Sequence, residues 1–391
     1  MKISYKVGDD TMRKLYYEDS HLAVFRGNVL SCTQAKAGWE IILDATAFYP
    51  EGGGQAADTG TLGPVKVLDT RERGETVVHI CDGPLDVGME VEGTIDYPAR
   101  FLRMQQHSGE HIVSGLLFQR YGCHNVGFHM GSDIITIDFD VVIPAEVLPE
   151  IEAQANRAVW ANLPVKTWYP TEAELPTVPY RSKKELPWPV RIVQIPGFDT
   201  CACCGTHVKA TGEIGIIKLF SAVNFRGGTR IEMACGSAAL SILNTAYTQN
   251  RQVGAAFSVQ AHETGAAARR MNELMSQQKY RITGRERRIF DTIAQGYAGS
   301  ETALHFEEGL DGDGLRTLTD KILCAGVGKA AVFTGTDAEG YAFCLASREA
   351  DLRPACKEMT TVLHGRGGGK PGFQQGRVMA TRQEIENYFE K

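Results

Sequence analysis

The residues best suited to chemistry are two imidazoles four apart, His107 and His111, in Gln105-Gln106-His107-Ser108-Gly109-Glu110-His111. The stretch continues as Ile112-Val113-Ser114-Gly115-Leu116-Leu117-Phe118, a pattern that predicts a helix. On a helix, positions i and i+4 share one face about one turn apart, so two histidines there can grip one metal ion. A surface or hydrogen-bonded histidine pair has the same spacing, so the pair needs partners. They lie in Cys201-Ala202-Cys203-Cys204-Gly205-Thr206-His207, where Cys203 and His207 are again four apart. Gly205-Thr206 between them lets the chain turn so that both side chains face one point. Thiolate and neutral imidazole are the donors zinc prefers, in tetrahedral geometry. His107, His111, Cys203 and His207 are therefore candidate ligands for one Zn2+ per chain. Four protein ligands ordinarily make a structural site, whereas catalysis needs an exchangeable position where water can ionise, and spacing does not choose between them.

The same heptapeptide supports a rival reading. His107-x-x-Glu110-His111 matches the H-x-x-E-H pattern of zinc metallopeptidases, in which the glutamate is the general base. A distant carboxylate, here Glu174 or Glu185, would complete that site. This reading leaves the cysteine cluster and a run of three glycines unexplained.

The elements that must position these groups follow from periodicity and punctuation. Residues 1–97 read as β, with short runs such as Glu40–Asp44, Val65–Leu68 and Thr76–Ile80 spaced as in a small barrel or sandwich. Within them lies Phe48-Tyr49-Pro50-Glu51-Gly52-Gly53-Gly54-Gln55. Three glycines cost conformational entropy, so positive φ or close backbone approach is expected there. After Asp96-Tyr97-Pro98 the pattern turns helical and runs into the histidine pair. Asp133–Phe139 alternates with period two, and a helix is predicted over 145–161. Tyr169–Pro189 is proline-rich and irregular, and Val190–Ile195 reads as a strand leading to the cysteines. Gly215–Phe220 and Thr229–Ala234 read as paired strands, closing a mixed α+β block over 98–240. Residues 236–295 are helical, with 241–295 read as a linker. Arg269, Arg270, Lys279, Arg281, Arg285, Arg287 and Arg288 crowd there, opposed by Glu273 and Glu286, as a phosphate-binding patch or a solvated helix face. The last block, 296–391, alternates strands (Ala330–Thr334, Tyr341–Ala346) with helices and ends in His364-Gly365-Arg366-Gly367-Gly368-Gly369-Lys370-Pro371-Gly372-Phe373. Pro371 stands where a Walker A loop requires Ser or Thr, which argues against a magnesium–nucleotide site. Backbone amides of such a loop beside Lys370 could still hold a phosphate.

Composition sets the outer bounds. A chain of 391 residues implies about two to three domains, and 43% hydrophobic with 23% charged residues is ordinary for a globular protein. Met1–Gly8 carries no secretory pattern, and no apolar run reaches the ~18–20 residues of a membrane span, so a cytoplasmic protein with no membrane partner is expected. Ten cysteines are then reduced thiols or ligands rather than disulfides. The formal charge of −6 argues against a general nucleic-acid coat but permits a specific RNA bound at a local patch.

Four stretches together resemble one family. Leu43-Asp44-x-Thr46-x-Phe48-Tyr49-Pro50-Glu51-Gly52-Gly53-Gly54-Gln55-x-x-Asp58-x-Gly60 is similar to the glycine-rich signature of alanyl-tRNA synthetase editing regions and their free-standing AlaX relatives. Gln106-His107-x3-His111 and Cys203-x-Gly205-Thr206-His207-Val208 resemble that family's zinc motifs, and Thr211-Gly212-Glu213-Ile214-Gly215-x-x-Lys218 follows in the same order. The tail from His364 to Gly376 resembles the DHH-associated C-terminal domain of these synthetases. No segment is seen to resemble a class II catalytic domain. The resemblance covers nearly the whole chain and implies a long-form, free-standing editing hydrolase. Such an enzyme would cleave the ester joining serine, and in a second place glycine, to mischarged tRNA(Ala). The alanine pocket of a synthetase cannot strongly exclude glycine, and a second hydrolytic site corrects the error.

Carried over, His107, His111, Cys203 and His207 would bind a catalytic-site zinc, with Glu110 as base or bystander. Gly52, Gly53, Gly54 and Gln55 would meet the aminoacyl end at the seam of barrel and editing domain. Arg287, Arg288 and Lys370 would meet the tRNA, and the C-terminal region would serve tRNA contact, homodimerisation or both. Cys204 replaces a more usual glycine, and its thiol could compete with Cys203 for the metal. The stretch Gly127-Phe128-His129 gives no selectivity residue to carry over. The expected fold is α+β: a small N-terminal β-barrel over 1–97, a zinc-containing editing domain over 98–240, a helical linker over 241–295 and an α/β domain over 296–391. An RNA-binding module with a structural zinc is the non-enzymatic alternative.

Overall fold

The computed structural model describes residues 12–131, 133–182 and 186–390. Met1–Gly8 and Glu185 lie outside these residues. The fold is mixed α+β, with eight α-helices and several sheets among the described residues, arranged in two compact units, 1–252 and 253–391.

In the first unit, six strands close on one another in the order Val24–Ala35, Gly38–Leu43, Thr76–Cys81, Val65–Arg73, Gly60–Leu62 and Glu90–Ile95. The last strand returns to pair antiparallel with the first, Val24 opposite Thr94. Alternating residues such as Phe25, Ile41, Leu43, Leu62, Val67 and Val91 point inward and form one buried cluster with Phe48. A four-residue helix, Leu15–Glu18, precedes the barrel in a region whose pattern reads only as β.

The Tyr97–Tyr121 helix begins where Asp96 accepts from the Ala99 amide and Pro98 fixes the first turn. It ends at Gly122, in the left-handed conformation with φ +64°. Its middle, Met104–Leu117, is buried all round. Two glycines permit this depth. A Cβ on Gly109 would fall 2.3 Å from Cys235 Sγ, and one on Gly115 would fall 2.2 Å from the Phe198 carbonyl. The helix packs with the Leu148–Trp160 helix on a four-stranded antiparallel sheet, ordered Ile217–Phe225, Gly228–Cys235, Ile135–Phe139, Asn125–Met130. A second antiparallel sheet, Lys166–Trp168, Ile192–Ile195 and Asp199–Ala202, delivers the cysteine cluster to the helix.

The helical stretch after Cys235 is two helices, Gly236–Phe257 and Thr264–Gly296, and the boundary between the two units falls inside the first. Ser258 at φ +54° stops the first helix, and a Gln260/Glu263 capping box starts the next turn. In the second unit the sheet order is Thr302–Phe306, Lys329–Thr336, Gly340–Ser347, Phe373–Val378, Arg366–Lys370. Helices Gly312–Cys324 and Arg353–Val362 join separate buried clusters. Val332 and Cys344 belong to the first, Phe333, Phe343 and Leu345 to the second, so both sheet faces are covered.

The glycine run corrects the expectation of a loop. Arg366–Lys370 is an exposed edge strand paired residue by residue with Phe373–Val378, Lys370 opposite Phe373. Part of its backbone hydrogen bonding is spent on the ladder rather than on a phosphate nest.

Candidate metal centre

The sequence places two donor pairs on different elements, and the fold brings them together. One ligand atom from each of His107, His111, Cys203 and His207 lies within 4.8 Å of every other. Cys203 Sγ is 3.4 Å from Nε2 of His107 and 3.4 Å from Nε2 of His207. The three rings pack at 4.5–5.2 Å between centroids, and all three histidines are buried.

Each ring is oriented through its other nitrogen. His107 Nδ1 meets Gln55 Oε1 at 3.0 Å, His207 Nδ1 meets Ser108 Oγ at 3.1 Å, and His111 Nδ1 meets Asp199 Oδ2 at 2.8 Å. Nδ1–H donating to these oxygens leaves Nε2 of each ring free for a cation, the arrangement that fixes tautomer and direction in metal-bound histidines. Cys203 Sγ accepts from the Gly205 amide at 3.3 Å. The donor set and its supports fit Zn2+.

The electrostatics agree. Burial opposes ionisation of Cys203, yet the surrounding imidazoles, with hydrogen bonds from His107 and His111, hold its thiol well below the ordinary range. Burial and repulsion from His107 push His207 down to about 3, so it offers a neutral ring. Burial would lower His111, but Asp199 and Cys203 hold it well above its ordinary value. This ring attracts a cation, proton or metal.

The glycine-rich turn reaches the same place. Gly52 and Gln55 bridge one another while Gly53 and Gly54 take φ +61° and +89°. A Cβ on Gly54 would sit 2.6 Å from a Phe128 ring carbon and 2.8 Å from its carbonyl oxygen, so both expected reasons for glycine hold there. Gln55 is buried; besides His107 it accepts from the Thr206 amide at 3.1 Å and donates to Thr206 Oγ1 at 2.7 Å. Phe128, which sequence reasoning left aside, stacks on His107 with centroids 5.4 Å apart. Its position on a strand gave no signal of that contact.

Glu110 is buried on the same helix but stands outside the four-donor group. Its Oε1 accepts from Ser114 Oγ at 2.5 Å and Asn125 Nδ2 at 2.6 Å. Glu174 is exposed and holds the Thr171 amide at 2.9 Å. Cys204 is an exposed residue whose thiol meets Tyr17, while all ten cysteines are free of disulfides. Arg287, Arg288 and Lys370 are exposed residues of the second unit. No helix among the described residues is long and apolar enough to cross a membrane.

Comparison with known proteins gives two family matches. Residues 190–232, spanning the Cys203–His207 motif, match the threonyl and alanyl tRNA synthetase second additional domain. Residues 6–99 match tRNA synthetases class II (A). The described part of that second match folds as the six-stranded barrel and its approach. The chain is 27% identical to the alanyl-tRNA editing protein AlaX-L of Pyrococcus horikoshii, covering 96% of both chains. It is 27% identical to the alanyl-tRNA editing protein Aarsd1 of Danio rerio, covering 94% of this chain and 95% of that one. An alanine–tRNA ligase of Thermofilum pendens is 38% identical over 58% of this chain, which spans only 26% of the ligase.

Proposed function

We propose that the chain, similar to AlaX-L and Aarsd1 over most of its length, is a member of their family of alanyl-tRNA editing proteins and a trans-editing aminoacyl-tRNA hydrolase. Its substrate is tRNA(Ala) mischarged with serine, with glycine second, and its reaction is hydrolysis of the aminoacyl ester. The observation that carries this reading is the convergence of His107, His111, Cys203 and His207 beside the Gln55 turn. Bound Zn2+ would supply Lewis-acid polarisation of the ester or of its attacking water. The chain's own residues do the rest. Gln55, Ser108 and Asp199 hold three imidazoles by their Nδ1 atoms, and Gly54 brings the turn against Phe128.

The remaining assignments extend the same reading. The barrel within 1–97 carries the turn, 98–240 is the editing domain, 241–295 a helical linker and 296–391 a DHH-associated domain that contacts tRNA, pairs copies of the chain, or both. The protein acts in the cytoplasm, where charged tRNA is sampled. Arg287, Arg288 and Lys370 contact phosphates. Charge reversal at Arg287 and Arg288 is expected to weaken tRNA binding and reduce the slope of log K against log salt by at least about one. Filter binding across a salt series checks this, and an unchanged slope makes the helix a plain linker.

Glu110 separates the editing and peptidase readings. A glutamine there keeps an oxygen for Ser114 and Asn125 while removing any general base. Glu110→Gln is expected to leave ester hydrolysis within about fivefold of wild type. Loss of a true general base costs about 10²–10⁴. A drop of that size makes Glu110 the base of the ester hydrolysis itself, and peptide cleavage abolished by the change favours the peptidase. tRNA binding without release of any amino acid favours the binding module with a structural zinc.

A further inference from the structure

Two possible ligand sets share one imidazole. Besides the four-donor centre, His111, Asp199 and Cys201 bring a ring nitrogen, a carboxylate oxygen and a thiol within 4.8 Å of one another. Zinc accepts all three donor types, so chemistry alone does not choose between the sets. A metal held by His111 and Asp199 together would claim the nitrogen that now faces the carboxylate at 2.8 Å.

What separates the sets is Arg181. Its Nε donates to Asp199 Oδ1 at 2.7 Å and its Nη2 donates to Asp199 Oδ2 at 2.8 Å, a two-point grip on both oxygens. The pair is shielded, with side-chain exposures of 12% for Arg181 and 2% for Asp199. The arginine is itself fixed. Its amide donates to the Thr200 carbonyl at 2.8 Å, its carbonyl accepts from the Ala202 amide at 2.9 Å, and its guanidinium lies 6.0 Å over the Phe118 ring. Phe118 belongs to the helix that carries His107 and His111. The proline-rich segment thus docks one cation beside the cysteine strand, a feature with no signature in sequence.

We propose that Arg181 is a positioning residue that decides which set takes the metal. By occupying both oxygens of Asp199 it keeps that carboxylate a hydrogen-bond acceptor rather than a ligand. His111 then keeps Nδ1 on Asp199 and presents Nε2 to the set containing Cys203. The proposal rests on the metal centre proposed above. Without Arg181 the buried carboxylate needs another cation, and a dication next to the Cys201 thiol supplies one.

The test uses the full chain loaded with Co2+, whose absorption reports the number of thiolate ligands, together with zinc affinity from chelator competition. Wild type is expected to show a one-thiolate spectrum that Cys201→Ser leaves unchanged. Arg181→Met is expected to lose about 10–100-fold in zinc affinity. Its thiolate-to-cobalt absorption should stay near the one-thiolate value but disappear when Cys201→Ser is added, because Cys201 is the one thiol of the second set. Arg181→Lys, which keeps the charge but not the two-point grip, should lose affinity by an intermediate factor and serves if the methionine variant does not fold. Wild-type affinity in both arginine variants, with spectra indifferent to Cys201→Ser, overturns the proposal while leaving the metal centre standing. A wild-type chain that takes up no cobalt overturns the metal centre itself, and the role of Arg181 with it.

Discussion

Cys203→Ala is expected to strip the protein of zinc, whereas Cys204→Ala leaves zinc content near one per chain. The two thiols are sequence neighbours, yet only Cys203 Sγ lies 3.4 Å from two imidazole nitrogens. Cys204 is exposed and meets Tyr17 instead. A four-ligand zinc site is worth about 10–16 kcal/mol, so losing one ligand of four removes on the order of 3 kcal/mol, about a hundredfold in affinity. Dialysis against a chelator followed by metal analysis reads the difference directly. Ester hydrolysis should fall with metal content in Cys203→Ala and stay near wild type in Cys204→Ala. Equal metal loss from both variants contradicts the ligand assignment.

The second large effect is on stability. Arg100 is fully buried at the start of the helix that carries His107 and His111, and Asp58, fully buried, follows the glycine-rich turn. Arg100 Nε lies 3.0 and 2.8 Å from the two Asp58 oxygens, and its Nη2 donates to the Ala47 carbonyl at 2.7 Å and also meets Asp58. Its Nη1 donates to the Ser20 carbonyl at 3.1 Å. This one guanidinium ties barrel-side backbone to the helix that bears His107 and His111. Arg100→Met leaves the Asp58 carboxylate buried with the Tyr49 amide at 2.7 Å and Arg103 at 3.4 Å. Breaking such a pair from one side costs about 3–5 kcal/mol, a large share of an ordinary folding free energy of about 5–15 kcal/mol. Urea unfolding should show the loss, and Asp58→Leu added to Arg100→Met should recover part of it, because the stranded charge is gone. A loss under about 1 kcal/mol from the single change contradicts this account of the junction.

These two cases also mark what the sequence could and could not disclose. Ligand spacing was readable because i, i+4 geometry on a helix and a Gly-Thr turn between Cys203 and His207 are local facts. The helix itself was readable from its Asp96 cap and apolar run, and Gly54 from the cost of glycine without a reason. Asp58 stood in the glycine-rich signature, but its partner Arg100 is 42 residues away and the pairing is tertiary. The same holds for Asp199 and Ser108, ordinary polar residues until the fold places them against His111 and His207, and for Arg181, which the fold places against Asp199. Gln55 was read as facing the substrate, and the structure gives it a nearer task, holding His107 and Thr206. The Arg366–Lys370 strand was missed because glycine carries weak strand propensity; the neighbouring strand sets the pairing there.

The most direct test of the editing account is the initial rate of amino-acid release from one tRNA(Ala) charged in turn with serine, glycine and alanine. The account predicts serine released at least about a hundredfold faster than alanine. Equal rates on all three, or intact esters on a tRNA that the protein still binds, would contradict it.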